Sequence, residues 1–392
     1  MSYLDKILTV DEMKTKARRS VPKMFFDYAD SGSYTEGTYQ ENESDFSKIK
    51  LRQKVAVNLE GRNLKTTMLG QSITMPVAIA PAATGGMQVA DGEIKAALAA
   101  EKYGIPFTLS TMSVCSIEDI AENTTAPFWF QLYVMRDRGF IERLIDRAKA
   151  AKCSALVLTM DLQILGQRHK DIHNGLSTPP KFTPYSIWQM MQHPLWCMRM
   201  LGTQRRTFRN IVGHVSGDHD LASLSAWTAS QFDPTLNWAD VKWIKERFGG
   251  PVIVKGVLDP EDAQAAIDNG ADAIVVSNHG GRQLDGAPST IRVLPEIIDA
   301  VGHKTEVYLD SGIRSGQDVL KALAYGAKST FIGRPMLYGL GAGGEAGVKR
   351  VLDIIFKELD TTMALCGERD ILNVGRHNIY SNDLPPRNAP VA

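Results

Sequence analysis

The sequence predicts an α/β fold: a closed (β/α)8 TIM barrel over residues 75–392, capped by an N-terminal helical and β extension (1–74) and interrupted after its fourth strand by a long insertion (166–236). Three observations carry this. Eight short apolar runs rich in β-branched residues are each followed by a polar or glycine-rich tip and then by an amphipathic segment. The runs are apolar throughout instead of alternating, as parallel strands covered by helices require. Eight such units in about 260 residues fit a closed barrel, and the first lacks the GxGxxG of an open dinucleotide-binding sheet.

The runs are PVAIAPA (76–82), IPFTLST (105–111), FWFQLYV (128–134), ALVLTMD (155–161), PVIVKGV (251–257), AIVVSNH (273–279), EVYLDSG (306–312) and STFIGRP (329–335). Between them lie helical patterns such as DGEIKAALAAEKYG, RGFIERLIDRAKAAK, WADVKWIKERF, PEDAQAAIDNG and SGQDVLKALAYG, several closing on a glycine suited to a left-handed helix terminus. The first 74 residues read as two helices and short β segments, KIKLRQKVAV and TTMLGQSI, covering the bottom and edge of the barrel.

Composition narrows the function. With 44 basic and 44 acidic residues in 392, the chain has no charge bias toward nucleic acid, which favours a small-molecule partner. The N-terminus has acids early and no apolar core of a signal peptide, and no run reaches the ~20 apolar residues of a spanning helix, so a cytoplasmic start is expected. Cys115, Cys153, Cys197 and Cys366 are scattered without metal spacing, so no metal site and no disulfide framework are expected.

Barrel chemistry gathers at the C-terminal strand ends, so the tips are site candidates: Ala82 and Ala83; Ser110; Gln131 and Tyr133; Thr159 and Asp161; Lys255; Ser277 and His279; Asp310 through Arg314; Gly333 and Arg334. The last two strands end in DSGIRSG and IGRP. Glycine-freed amides, helix N-termini and the guanidinium groups of Arg314 and Arg334 make a phosphate cradle where barrels commonly hold one. His279 on its own would be a satisfied core histidine. Asp161 across the mouth can orient it as a general base, Arg282 and Arg168 can grip a carboxylate, Tyr133 adds a hydroxyl, and Lys255 can offset developing negative charge. A base, a clamp and a phosphate anchor still fit an isomerase or an aldolase.

The string SNHGGRQLD resembles the active-site signature of the FMN-dependent L-2-hydroxy acid dehydrogenases and oxidases. The likeness continues through VPKMFFDYADSG, PFTLSTMSVCSIEDIA, WFQLYVMRDRGF, VKGVLDPEDA, LDSGIRSGQDVLKALA and FIGRP, and among members it is similar to the L-lactate dehydrogenases of bacterial respiratory chains. The resemblance implies FMN as cofactor and His279 as catalytic base with Asp161 as its carboxylate partner. It implies that Arg168 and Arg282 hold the substrate carboxylate, with Tyr28 and Tyr133 as the hydroxyls beside carboxylate and 2-hydroxyl. Lys255 would stand by the flavin N1–C2 carbonyl. Ala82, Ala83, Ser110, Gln131, Thr159 and Ser277 would contact flavin and ribityl, and Asp310, Gly312, Arg314, Gly333 and Arg334 the ribityl and phosphate end. The implied reaction is oxidation of an L-2-hydroxy acid, L-lactate foremost, with electrons passing to quinone or cytochrome in a homotetramer or larger assembly. An oxygen-using oxidase and a noncatalytic flavin-binding scaffold are the alternatives. Two positions depart from the family pattern: Gln163 stands where a proline is common, and Met112 where some members carry a large aromatic.

Between Asp171 and Asp218 the insertion has no acid but five basic residues, Lys181, Arg199, Arg205, Arg206 and Arg209, interleaved with Phe182, Tyr185, Trp188, Met190, Met191, Trp196, Met198 and Met200. Such a segment suits docking on anionic lipid. On composition alone a lid or a subunit contact fits equally. Membrane-associated relatives carry a docking segment here, which implies a place on the cytoplasmic face of the inner membrane.

Overall fold

Eight parallel strands form a single sheet in the computed structural model, which describes residues 3–176, 183–212, 227 and 230–383. They are β1 (Val77–Ile79), β2 (Thr108–Ser110), β3 (Trp129–Leu132), β4 (Ala155–Thr159), β5 (Val252–Val257), β6 (Ala273–Val276), β7 (Glu306–Leu309) and β8 (Ser329–Ile332). Hydrogen bonding runs in the order β1-β8-β7-β6-β5-β4-β3-β2. The ring closes by a parallel bridge from Ile79 to Phe107, with Ile79 N donating to Pro106 O at 2.9 Å. All eight predicted strands are present and the barrel is the expected one.

The period of two along a strand builds the site. Trp129, Val157, Ile253, Val275, Tyr308 and Phe331 point into the barrel and fill it around the small Ala78, Ala155 and Ala273. Two residues further along each of these strands stand Gln131, Thr159, Lys255, Ser277, Asp310 and Gly333. The polar layer at the mouth is therefore the next register of an apolar plug. Below that plug, the hairpin of Thr66–Met68 and Gln71–Ile73 adds Met68 and Ile73 to the same cluster.

The N-terminal extension carries three helices, Val10–Ser20, Lys23–Ala29 and Gly37–Lys48, against the two expected. Pro22 ends the first helix, and a seven-residue helix follows at once. The long C-terminal segment Arg334–Leu365 breaks at Gly343 and Gly344, where Gly344 takes a φ of 61°.

In the insertion, the helices Pro184–Met191 and Pro194–Leu201 expose Tyr185, Ile187, Trp188, Met191, Leu195, Met198 and Leu201. Trp196 instead turns inward, stacking on Phe25 with centroids 5.0 Å apart and donating Nε1–H to Met87 O at 3.1 Å. The positive surplus read from the local sequence does not all face outward. Arg205 pairs with Asp91 (3.1 Å) and Asp119 (2.9 Å), and Arg209 pairs with Asp119 (3.1 Å). Arg206 donates to the Thr203 carbonyl. Lys181 and Phe182 lie outside the described residues.

Arg147 fastens the end of this excursion to the barrel, donating to the Asn210 carbonyl at 3.0 Å and to both carboxylate oxygens of Glu118 at 2.7 Å each. The Arg147 hydrogen bond holds Glu118 down at about 2, against an ordinary 4.5. A lowered carboxylate stabilises the fold above its unfolded pKa, and that stabilisation is lost as pH falls toward the folded value. Denaturant midpoints of native protein and Glu118→Gln should therefore differ above pH 4.5 and converge as pH approaches 2.

Candidate active site

The tip of β6 is built around backbone that few side chains adopt. His279 has φ 57°, and its amide is held by Ser277 Oγ at 3.1 Å. Gly281 follows at φ 72°, where a Cβ would lie 2.5 Å from Tyr39 N. This turn aims the imidazole across the mouth, and His279 Nδ1 meets Asp161 Oδ1 at 3.0 Å. Asp161 itself needs Gly256, since a Cβ there would come within 2.7 Å of the Asp161 Cβ. Gln283 splints the two tips, donating Nε2–H to the carbonyls of Asp161 (2.7 Å) and Ile164 (2.8 Å) and accepting from Gly166 N (3.1 Å). Gln163 ties the same loop to the Leu236 carbonyl at 2.6 Å.

Other residues of this string dock the N-terminal extension. Asn278 and Asn42 exchange a reciprocal amide pair at 2.8 Å, and Asp285 accepts from Thr35 N (2.9 Å) and Thr38 N (3.0 Å), capping the helix Gly37–Lys48. Docking brings Tyr28 over the barrel mouth. The guanidinium carbons of Arg168 and Arg282 lie 5.1 and 4.9 Å from the centre of its ring.

The two guanidinium groups differ in partners. Arg168 forms an ion pair with Asp171. Arg282 donates to the Tyr28 carbonyl at 2.6 Å and makes no ion pair among the described residues. Burial first, then the charge of Arg168, push Arg282 down to about 10, so it is still charged at neutral pH but poorly compensated. An anion set between the two relieves that repulsion. Tyr133 stands beside them, and burial followed by the charge of Asp161 pushes its hydroxyl pKa up, so it remains a proton-bearing donor.

At the other end, Lys255 Nζ lies 2.9 Å from Asp310 Oδ2 and 2.8 Å from Ser277 Oγ. Burial works against both charges. Asp310 and then Asp161 nevertheless raise Lys255, and Lys255 lowers Asp310, so the pair is ionised. Arg334 is 8% exposed, donates to the carbonyls of Ala29 (3.0 Å) and Ser31 (2.8 Å), stacks over Tyr39 and makes no ion pair among the described residues. Arg314 pairs with Glu43 at 2.8 Å.

One cleft at the C-terminal mouth of the barrel collects these groups. Tyr28, Ala82, Ala83, Tyr133, Arg168, Lys255, His279, Arg282, Asp310, Gly312, Arg314, Gly333 and Arg334 line it, while Ser110, Gln131, Thr159, Asp161 and Ser277 do not. Of these five, Asp161, Ser277 and Ser110 bond directly to lining residues, Ser110 Oγ accepting from Met112 N at 3.2 Å, and Ser110 is also bonded to Gln131. The donor set fits FMN. Gln131 Nε2 is a buried donor with no protein partner, as a ring carbonyl would need. Arg334 is a buried guanidinium without a carboxylate, as a phosphate would need.

Sequence reasoning placed Ser311 among the strand-tip candidates without giving it a role; its Oγ accepts from Gly280 N at 3.0 Å at the cleft wall. Sequence reasoning missed the apolar wall of Leu162, Leu165, Leu176, Phe208 and Phe232, where Phe232 meets Tyr133 edge-on at 6.1 Å. Three of these come from within the insertion, where the strand-tip rule does not reach.

Comparison with known proteins agrees with this geometry. The model of the FMN-dependent dehydrogenase family matches residues 17–381. The monotopic membrane protein (S)-mandelate dehydrogenase is 34% identical, with a TM-score of 0.91 over 96% of this chain and 100% of that one. A soluble mutant of the membrane-associated (S)-mandelate dehydrogenase from Pseudomonas putida is 34% identical over 96% and 100%, with a TM-score of 0.83. A protein described as a lactate oxidase from Pediococcus acidilactici is 35% identical over 94% and 93%, with a TM-score of 0.79.

Proposed function

Because this chain belongs to the FMN-dependent dehydrogenase family, we propose that it oxidises an L-2-hydroxy acid, L-lactate to pyruvate foremost, and passes the electrons to a membrane quinone or a cytochrome. FMN is its cofactor. The observation that carries the reading is that His279, paired with Asp161, lines the same cleft as Arg168 and the uncompensated guanidinium of Arg282.

Arg168 and Arg282 hold the substrate carboxylate, and the hydroxyls of Tyr28 and Tyr133 fix its orientation. His279 has Nδ1 committed to Asp161, which leaves Nε2 to take the proton as the 2-hydroxy acid becomes a 2-oxo acid. Asp161 then stabilises the imidazolium. FMN, when bound, would supply the acceptor for the electron pair. Lys255 supplies fixed positive charge beside it, held in place by Asp310 and Ser277.

The test is anaerobic mixing of the yellow protein with L-lactate, (S)-mandelate and glycolate, following loss of flavin absorbance. L-Lactate is expected to bleach the flavin fastest, and no bleaching by any of the three would refute the reading. The likeness to a lactate oxidase supports a second reading, in which oxygen is the acceptor. Peroxide formed in air as fast as a dye is reduced would favour it.

The exposed apolar side chains of residues 185–201 support docking on the cytoplasmic face of a bilayer, in keeping with the monotopic relative. No helix of the described residues is long and apolar enough to cross a membrane. With Arg205 and Arg209 paired inward, apolar burial leads this docking and anionic lipid adds less. The protein should therefore sediment with phosphatidylcholine vesicles even near 1 M salt, where screening acts over about 3 Å. Trp188→Ser with Met198→Ser should release it.

A further inference from the structure

Asn210, deep in the insertion, is fully buried, and both ends of its amide are used. Oδ1 accepts from Ile117 N at 3.0 Å and from Arg147 Nη2 at 3.4 Å. Nδ2 donates to Ser113 Oγ at 3.0 Å and to the Ser110 carbonyl at 3.3 Å, with the Thr111 carbonyl at 3.5 Å. Ser113 Oγ lies 2.7 Å from that same Ser110 carbonyl. The stretch 110–113, which forms the tip of β2, is thus shaped by a side chain from about a hundred residues further along.

What that tip does next is specific. Ser110 Oγ donates to Gln131 Oε1 at 2.9 Å and Thr111 N donates to the same oxygen at 3.3 Å. A backbone N–H can only donate, so the oxygen of this amide is the atom that faces it. The NH2 must then point the other way, and Gln131 Nε2 is the buried donor left without a protein partner. Thr111 Oγ1 fixes the same residue from its backbone, donating to Gln131 O at 2.6 Å.

We propose that Asn210 is a positioning residue for the cofactor: it holds the β2 tip so that Gln131 presents its NH2 to an acceptor on the FMN ring. This rests on the assignment of Ser110 and Gln131 to FMN. The insertion then has two jobs, an outward apolar face and an inward amide that completes the flavin site.

The test titrates apoprotein with FMN by fluorescence quenching and records visible circular dichroism of the bound flavin. Asn210→Asp keeps an acceptor for Ile117 N and Arg147 but exchanges the donating NH2 for oxygen. It should weaken FMN binding about tenfold, the loss of roughly one buried hydrogen bond, and alter the dichroism. Gln131→Leu should do the same, and the double variant should be no worse than either single one. Arg205→Gln, which loosens the insertion from Asp91 and Asp119 without touching β2, should bind FMN within about twofold of native. Native affinity in Asn210→Asp, additive losses in the double variant, or an equal loss in Arg205→Gln would each overturn the inference. Native affinity in Gln131→Leu alone would overturn the flavin assignment beneath it. Should Asn210→Asp not fold, Ser113→Ala removes the hydroxyl end of the same link, and an undisturbed dichroism there is equally fatal.

Discussion

With His279 as the proposed base and L-lactate as the proposed substrate, His279→Gln is expected to slow bleaching of bound FMN by about 10²–10⁴-fold, the usual contribution of a positioned base. The glutamine amide can still bond to Asp161 but has no basic nitrogen to take a proton. FMN uptake should persist, because Gln131, Lys255, Arg314 and Arg334 are untouched. Stopped-flow absorbance under nitrogen reads the first quantity and fluorescence titration the second. A variant that bleaches at the native rate would remove His279 from the chemistry. One that fails to bind FMN would mean that the left-handed turn at residue 279, with its φ of 57°, had collapsed instead.

Arg282→Met should separate binding from stability in opposite directions. On the proposed assignment the substrate carboxylate loses one of its two guanidinium partners, and removing one member of a buried charge pair costs enough to raise KM by about 10²-fold or more. In the free protein the same guanidinium is a liability. Burial and the neighbouring Arg168 disfavour its charge, holding it down to about 10. Methionine fills similar space without that charge, so the variant is expected to melt above the native protein. Steady-state kinetics and thermal denaturation on one preparation decide it. A raised KM with a lowered melting point would mean that the bonds from Arg282 to the Tyr28 and Ser31 carbonyls outweigh the repulsion.

The barrel was legible because its signal is periodic and local. Each strand is a short apolar run and each tip falls two residues beyond an inward-facing core position, as with Trp129 and Gln131 or Tyr308 and Asp310. That register is what made a site list readable from strand ends. Contacts made by segments outside the repeat were not legible in this way. Tyr28 came only through the family likeness, because the helix that bears it is held at the mouth by residues about 250 to 300 positions later, Arg282 donating to the Tyr28 carbonyl and Arg334 to that of Ala29. Asn210 and Phe208 gave no signal at all within an insertion whose composition suggested a surface. The arginines there looked like a positive patch because their partners, Asp91 and Asp119, are about a hundred residues earlier, outside any local window.

The reciprocal Asn42–Asn278 amides and the Asp285 cap join parts of the chain more than 230 residues apart. During synthesis the N-terminal helices leave the ribosome long before the β6 tip exists for them to rest on, so the roof over the catalytic mouth is put on late. A truncated nascent chain ending before β6 would carry neither His279 nor the dock for Tyr28.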